Sequence, residues 1–200
     1  FFGGVRGFAP DDLQKCPLQV AVAYWENNVW SSWMVRKPAG DLVCNPLSTL
    51  PPIRRSAEIG EELRRIGLNG VGVEVGVRNG SYSSTLISGW KQASLFIQMD
   101  VWPKENEYLE AAKVGESLVQ QGFVGKVQQC RNRTAACVAT LAENSLDFVY
   151  INSQIFTANG RSEQFKLILE TLHSFWPKVR DGGVLAGSNF DGARDTIGRI

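Results

Sequence analysis

From residue 57 onward, short apolar runs alternate with longer stretches that have helical periodicity. Short apolar runs bounded by glycine, asparagine or aspartate are typical of buried strands, whereas apolar residues three or four apart indicate amphipathic helices. The predicted helices are 57–66, 81–90, 105–121, 134–143 and 162–176, and the predicted strands are 71–77, 94–101, 126–130, 146–151 and 183–187.

This alternation predicts the fold class. Short apolar strands that are separated by helices favour a parallel sheet covered on both faces. Because crossovers between parallel strands are right-handed, few topologies remain, and the expected one is a Rossmann-like, doubly wound α/β fold with a mostly parallel sheet.

Residues 1–56 have no clean period and are rich in proline, glycine and tryptophan. The sequence predicts an irregular aromatic arm over 1–56, with one helical stretch at 18–33, followed by the domain proper over 57–200. Trp25, Trp30 and Trp33 either pin this arm to the core or form a surface for a protein partner, since large aromatic side chains serve both purposes.

Composition excludes several classes of partner. A chain of 200 residues with 44% hydrophobic residues is the size of one domain, and no apolar run approaches the roughly 20 residues of a membrane span. A net charge of +1 gives no reason to expect nucleic acid or an anionic membrane as partner. Because the chain opens on Phe1 and stops soon after the last predicted strand, we expect a processed or truncated product.

The four cysteines form two loose pairs, Cys16 with Cys44 and Cys130 with Cys137. Neither spacing is that of a CxxC motif, and His173 is the only histidine, so no metal site is expected. We expect His173, in the middle of a predicted helix, to be structural. Two disulfides and four thiols both fit these spacings, and the compartment stays open.

Polar and glycine residues collect where the predicted strands end. In doubly wound sheets, ligands bind outside the carboxyl ends of the strands. Gly76 lets the backbone turn, and Gly80 admits the start of the next helix closely. Asp100 ends the second predicted strand, where a carboxylate accepts hydrogen bonds from ribose hydroxyls. The loop is not GxGxxG, and Glu74 makes it acidic, which suits a ligand with a cationic amino-acid end better than a pyrophosphate.

Four segments resemble known motifs. GVEVGVRNGSYSSTLISGW and LFIQMDVW resemble motif I and the acidic second-strand motif of S-adenosylmethionine (SAM)-dependent methyltransferases. SLDFVYIN and FWPKVRDGGVLAGSNF resemble the fourth and fifth strands of a class I family often labelled methyltransferase-24-like. The resemblance covers about residues 70–190, in the family's order, and does not extend to the arm.

The resemblance implies a SAM site. Glu74, Gly76 and Gly80 would line the methionine part, Asp100 would hold the ribose, and Val101 with Trp102 would lie near the adenine. Cys130 and Arg131 would flank the other edge of the adenine. The complete set of cofactor-binding residues that we predict is Glu74, Gly76, Gly80, Ser81, Asp100, Val101 and Asn152.

Three departures from the family pattern bear on activity. Asn152 stands where such proteins usually have an aspartate, and Gly187-Ser188-Asn189-Phe190 replaces a GHDY-type sequence. The chain ends soon after the fifth predicted strand, where the family normally adds an antiparallel strand pair, so we expect either a reduced sheet or a sequence that is cut short. Carboxylates hold divalent cations or accept protons, whereas amides do neither well.

These departures leave two functions open, and no catalytic residue is assigned. One is an active methyltransferase with an unknown acceptor, which relies on the electrophilic sulfonium of SAM and on proximity. The other is a catalytically inactive relative that serves as a structural or assembly subunit of a larger complex. An NAD-dependent oxidoreductase fits the sheet but not the loop.

Overall fold

The described part of the chain, residues 19–24, 31–37, 56–152 and 161–188, forms one seven-stranded sheet with helices on both faces in the computed structural model. The strands are β1 (Gln19–Tyr24), β2 (Ser31–Arg36), β3 (Val71–Val75), β4 (Leu95–Asp100), β5 (Lys126–Arg131), β6 (Leu146–Ile151) and β7 (Val179–Ser188). The helices are α1 (Ser56–Arg65), α2 (Ser81–Gly89), α3 (Glu105–Gln120), α4 (Thr134–Ala139) and α5 (Arg161–Phe175).

The strand order is β1-β2-β7-β6-β3-β4-β5. The five strands from β7 to β5 are parallel to one another, and β3, the first of them in the chain, lies in the middle. The order therefore reverses between β3 and β6, which is the switch point where ligands bind in doubly wound sheets. The prediction of a Rossmann-like, mostly parallel α/β sheet is confirmed.

The predicted helix over 18–33 is wrong. β1 and β2 pair antiparallel with each other, and β2 pairs antiparallel with β7, with Ser32 opposite Ser188. The backbone of Lys37 exchanges hydrogen bonds of 2.8 and 2.9 Å with Gly183 and Gly182, which holds the end of β2 against β7. β2 is stabilised by a partner strand about 150 residues away, β1 pairs with β2 in turn, and a local apolar pattern does not reveal the distant partner.

The structure does not test the other predictions made for residues 1–56. Trp25 and Trp30 lie outside the described residues, and so does the side chain of Trp33. The boundary between 1–56 and 57–200, and a protein partner for the tryptophans, therefore stay predictions, although β1 and β2 belong to the same sheet as the rest of the described chain.

The outer edge of β7 is covered by β2, so an antiparallel strand pair does extend the parallel sheet, from a segment that precedes it in the chain. Residues 189–200, where a strand pair after the fifth parallel strand would begin, lie outside the described residues. β7 begins at Val179, earlier than the predicted strand 183–187, and includes Asp181, Gly182 and Gly183. The register against β6 shifts there, with Leu146 opposite Val179 but Phe148 opposite Val184.

Each face of the sheet has its own apolar core. Val73 and Val75 of β3 point to the face that α4 and α5 cover, where Leu172 and Phe175 are fully buried. The alternate positions point to the other face, which α1, α2 and α3 cover around Trp90. No helix within the described ranges is long and apolar enough to cross a membrane.

A glycine sets the close packing of α1 on α2. A Cβ at Gly60 would lie against the carbonyl oxygen of Leu86 and 2.9 Å from the backbone nitrogen of Trp90. We expect Gly60→Ala to lower the free energy of unfolding by about 2 kcal/mol, since overpacking at a rigid contact outweighs the better helix propensity of alanine. Urea unfolding measures this change.

Gly67→Ala is the matched control for that substitution. Gly67 has φ +78° with nothing within 4 Å of its Cβ position, so alanine there costs only the left-handed conformation, roughly 1 kcal/mol. A Gly60→Ala protein as stable as the wild type, or more stable, would contradict the tight contact between the helices.

Candidate functional site

Loops from four neighbouring strands meet at the carboxyl edge of the parallel sheet. Gly76 follows β3, Asp100 ends β4, Asn152 follows β6 and Ser188 ends β7. Hydrogen bonds connect these loops to one another: Arg78 N donates to Asp100 at 2.9 Å, and Asn152 Nδ2 donates to the Gly76 carbonyl at 3.2 Å. The structure therefore brings the residues predicted from sequence together at the switch point.

Asp100 is held between two backbone N–H groups. Its Oδ2 accepts a hydrogen bond from Arg78 N at 2.9 Å, and its Oδ1 accepts one from Trp102 N at 3.1 Å. Both donors have left-handed backbones, with φ of +55° at Arg78 and +41° at Trp102. Non-glycine residues adopt this region at a cost, and such residues cluster at functional sites. The carboxylate is partly exposed and fixed in orientation.

The two glycines of the β3–α2 loop have different roles. Both have a left-handed backbone, with φ of +84° at Gly76 and +83° at Gly80. A Cβ at Gly80 would lie 3.2 Å from Ala111 Cα, so this glycine lets α2 start close to α3. Gly76 instead turns the chain out of the sheet, with its N–H donating to the Met99 carbonyl at 2.8 Å. The side chain of Ser81, at the start of α2, is exposed at this edge.

The two residues predicted near an adenine differ in exposure. Val101 is 53% exposed, whereas Trp102 is 1% exposed and packs with Val77, Ala111 and Tyr108. Trp102 Nε1 donates to the Arg78 carbonyl at 2.7 Å. The buried Trp102 side chain therefore connects the β3–α2 loop (residues 76–80, the glycine loop) to the loop that follows β4. Of the two residues, Val101 is the one whose side chain reaches solvent.

Glu74 is buried rather than exposed at the edge. Ser83 Oγ on α2 donates to Glu74 Oε2, Gln98 Nε2 donates to Ser83 Oγ at 2.8 Å, and Gln129 Nε2 donates to Gln98 Oε1 at 3.2 Å. The second oxygen, Glu74 Oε1, is buried with no hydrogen-bond partner, and the same holds for the hydroxyl of Tyr82. A row of polar groups thus crosses β3, β4 and β5 beneath α2 and ends on an unsatisfied acceptor.

Burial sets the protonation states of Glu74 and Tyr82. Removal from water raises the pKa of Glu74 to about 8, the hydrogen bond from Ser83 opposes the rise, and the charge of Asp100 adds to it. The pKa of Tyr82 is raised well above its ordinary value by burial and by the neighbouring Tyr150 and Glu74. The rings of Tyr82 and Tyr150 stack with centroids 3.8 Å apart. Glu74 is therefore mostly a neutral carboxylic acid at pH 7.

The ends of β6 and β7 carry neutral groups. Asn152 Oδ1 accepts a hydrogen bond from Ser188 Oγ at 3.3 Å, and Asn152 N donates to the Val75 carbonyl at 2.9 Å. Asn189 and Phe190, which complete the second altered motif, lie outside the described residues. Within the described ranges, no group of three or more His, Cys, Asp or Glu side chains is placed to hold a metal ion.

His173 lies away from this edge. It is near the end of α5, which runs back from the carboxyl ends of the strands toward their amino ends between β6 and β7. Its side chain is exposed, so it does not belong to the group of residues around Asp100.

The β5–α4 loop is closed by a disulfide between Cys130 and Cys137. Next to it, Arg131 lies over the Tyr108 ring at 4.6 Å and pairs with Glu105 at 2.7 Å. The side chain of Arg131 therefore contacts the start of α3 at one flank of the site. Cys16 and Cys44 lie outside the described residues.

Removing the disulfide should lower stability. We expect the double variant Cys130→Ser, Cys137→Ser to lose about 2 kcal/mol of unfolding free energy, because the bond closes a loop of seven residues' separation in the unfolded chain. Urea unfolding of this variant and the wild type measures the loss. Equal midpoints, or peptide mapping that finds both thiols free in the wild type, would contradict the pairing.

Sequence reasoning missed three residues of this site: Tyr82, Ser83 and Gln98. Gln98 is the one polar residue inside the apolar run of β4, as Glu74 is in β3, and the two are opposite each other in the register. A polar residue embedded in a buried strand needs a polar partner. Two such residues in neighbouring strands are the signal that would have found the row.

Comparisons with known proteins leave the family open. The chain matches no protein-family model and no curated protein sequence. Among solved structures, it is similar to a methyltransferase from Geobacter sulfurreducens, with 14% identity and a TM-score of 0.47 over 66% of this chain and 59% of that one.

Two further solved structures are similar at the same level. A protein from Corynebacterium glutamicum has 15% identity and a TM-score of 0.46 over 63% of this chain and 55% of that one. The bifunctional kinase-methyltransferase WbdD has 15% identity and a TM-score of 0.45, over 62% of this chain and 25% of that one. The chain thus spans about half of the length of these neighbours, or less, and likeness at this level does not bear on activity.

Proposed function

We propose that the carboxyl edge of the sheet binds SAM, and that the protein is a SAM-dependent methyltransferase-like protein with an unknown acceptor. The observation that carries the proposal is the fixed carboxylate of Asp100. It ends the strand next to the switch point, and its two oxygens are oriented by the backbone of the loops on both sides. Such a carboxylate is suited to accept hydrogen bonds from two ribose hydroxyls.

The acidic and polar side chains of the proposed site fit SAM better than a dinucleotide. Glu74 lies beneath the glycine loop with an unpartnered buried oxygen. A cationic ligand above it would lower its pKa and favour the ionised form, whereas a pyrophosphate would gain no such attraction. In the proposed site, Asp100 holds the ribose, Val101 lies against the adenine, and Gly76 and Ser81 lie along the methionine part. Glu74 acts from below the loop, through its charge when it is ionised.

When bound, SAM supplies a methyl group on a sulfonium, which is electrophilic without further activation. The chain's own residues then have to bind the cofactor, orient it and exclude water. Asn152 and Ser188 neither remove a proton nor hold a cation well, so an acceptor at this edge would have to be nucleophilic without their help. Proximity and orientation are the contributions left to the protein.

A catalytically inactive relative, retained as a structural or assembly subunit, is the second candidate. The observation that favours it is that Ser188 hydrogen-bonds to Asn152 and Asn152 hydrogen-bonds to Gly76, which stabilises the loop and performs no chemistry. Transfer of labelled methyl groups from SAM to candidate acceptors separates the two, since only the first candidate turns over.

Calorimetric titration with SAM and, separately, with NAD⁺ tests the binding proposal. We expect SAM to bind with micromolar affinity and NAD⁺ to give no heat at the same concentrations. Absence of heat and of any thermal shift at millimolar SAM would refute the proposal, and tight binding of NAD⁺ would instead favour the oxidoreductase reading of the sheet.

A further inference from the structure

Asn152 connects three neighbouring strands at the proposed site. Its backbone N–H donates to the Val75 carbonyl at 2.9 Å, its Nδ2 donates to the Gly76 carbonyl at 3.2 Å, and its Oδ1 accepts from Ser188 Oγ at 3.3 Å. Because the Gly76 carbonyl can only accept, the amide atom that faces it is the nitrogen, and the Ser188 hydroxyl donates to the oxygen on the other side. The amide N–H is thereby directed at the turn where the chain leaves β3.

The Gly76 peptide is held from both sides of β3. On the β4 side, Gly76 N–H donates to the Met99 carbonyl at 2.8 Å. On the β6 side, the Gly76 carbonyl accepts from Asn152. Two residues later, Arg78 N reaches Asp100. The two peptide groups that flank Gly76 are therefore both held in orientation. Their orientation helps to determine where the next backbone N–H groups point, including the N–H of Arg78 that donates to Asp100.

A carboxylate in place of Asn152 could not make this contact. An ionised aspartate has only acceptors, and it would face the Gly76 carbonyl with oxygen against oxygen. A protonated aspartate has one O–H and could donate to the same carbonyl. The hydrogen bond to the Gly76 carbonyl thus requires a side chain with a donor, which the amide of Asn152 supplies and an ionised aspartate does not.

We propose that Asn152 is a positioning residue, whose side-chain N–H holds the glycine loop in the conformation that binds the cofactor. The inference rests on the proposed function for its effect on SAM affinity, but its effect on the loop itself does not require SAM. It assigns to Asn152 a bond to the protein backbone in place of the direct cofactor contact expected from sequence.

Asn152→Asp, measured at two pH values, tests the donor. At pH 8 the carboxylate cannot donate, and we expect the variant to bind SAM about tenfold more weakly than the wild type. At pH 5 a share of the variant is protonated, because partial burial and the facing Gly76 carbonyl raise the pKa of an aspartate at this position, and the ratio of the two dissociation constants should fall below its value at pH 8. The titrations of SAM and of Glu74 affect both proteins and cancel in this ratio.

Asn152→Ala and Ser188→Ala are the matched controls. Alanine at 152 has no donor at any pH, so its tenfold loss should persist at pH 5. Ser188→Ala keeps the N–H of Asn152 and should lose threefold or less at both pH values. A wild-type affinity for Asn152→Asp at pH 8, or a loss that is equal at pH 5 and pH 8, would overturn the inference.

Hydrogen exchange of residues 76–80 without SAM gives a second readout. At pH 8 these amides should exchange faster in Asn152→Asp than in the wild type, and the difference should shrink at pH 5. Unchanged exchange would overturn the inference even if SAM binds. Conversely, a wild type that does not bind SAM would refute the proposed function, while the exchange result would still decide the role of Asn152.

Discussion

Asp100→Ala is expected to lower the affinity for SAM about 100-fold, which corresponds to about 2.8 kcal/mol. The substitution removes the proposed acceptor of the ribose hydroxyls. It also leaves Arg78 N and Trp102 N without the carboxylate to which they donate in the wild type, at 2.9 and 3.1 Å. Hydrogen bonds to charged groups contribute about 1.5–3 kcal/mol each, so the loss of ribose contacts and of loop order together reach this size. Calorimetric titration measures the change.

Asp181→Ala is the control for charge. Asp181 is an exposed carboxylate inside β7, at the amino-terminal side of the sheet, and its nearest cation is Lys37 at 3.7 Å. Its removal changes the net charge as Asp100→Ala does but leaves the proposed site intact, so SAM affinity should stay within twofold of the wild type. Equal affinities for all three proteins would exclude Asp100 from the site.

Glu74→Gln is expected to remove a pH dependence of stability. In the unfolded chain Glu74 ionises with an ordinary pKa near 4.5, whereas burial raises its pKa to about 8 in the folded state. Between these values the folded state holds one more proton, so its stability falls as pH rises and then levels off above pH 8. Between pH 5 and pH 8 we expect a loss of roughly 3 kcal/mol in the wild type, or about 10 °C in Tm.

The glutamine variant stays neutral throughout and keeps an oxygen for the hydrogen bond from Ser83. Calorimetric Tm values of the two proteins should therefore coincide near pH 5 and diverge toward pH 8, with Glu74→Gln the more stable. Glu143→Gln, a change at an exposed glutamate, should follow the wild type. Parallel curves for Glu74→Gln and the wild type would show that Glu74 is not the neutral buried acid described above.

The local pattern was sufficient to predict the parallel part of the fold. β3, β4 and β6 are mostly apolar on both sides because both faces of the sheet are covered, and a glycine or polar residue ends or directly follows each of them. The same reasoning failed for β1 and β2. β7, which pairs with β2, is distant in the sequence, and β1 (QVAVAY) is apolar at every position after Gln19, so neither a helical nor a strand period stands out.

The sequence predicted which residues come together at the carboxyl edge of the sheet but not the contacts that each one makes. Asp100 and Gly76 could be placed because strand ends meet at one edge of a parallel sheet. The burial of Trp102 and Glu74, and the contact of Gly80 with α3, depend on how α2 and α3 pack on the sheet. That packing is a tertiary property, and residue spacing along the chain does not specify which neighbours a side chain will contact.

Hydrogen exchange in the presence of SAM tests most directly the claim that the carboxyl edge is a SAM site. Saturating SAM should slow exchange in peptides that contain residues 76–81 and 98–102, and Asp100→Ala should abolish that protection at the same SAM concentration. Protection confined to the opposite edge, at residues 67–70 and 144–147, would contradict the proposed site. No protection anywhere would contradict SAM binding itself.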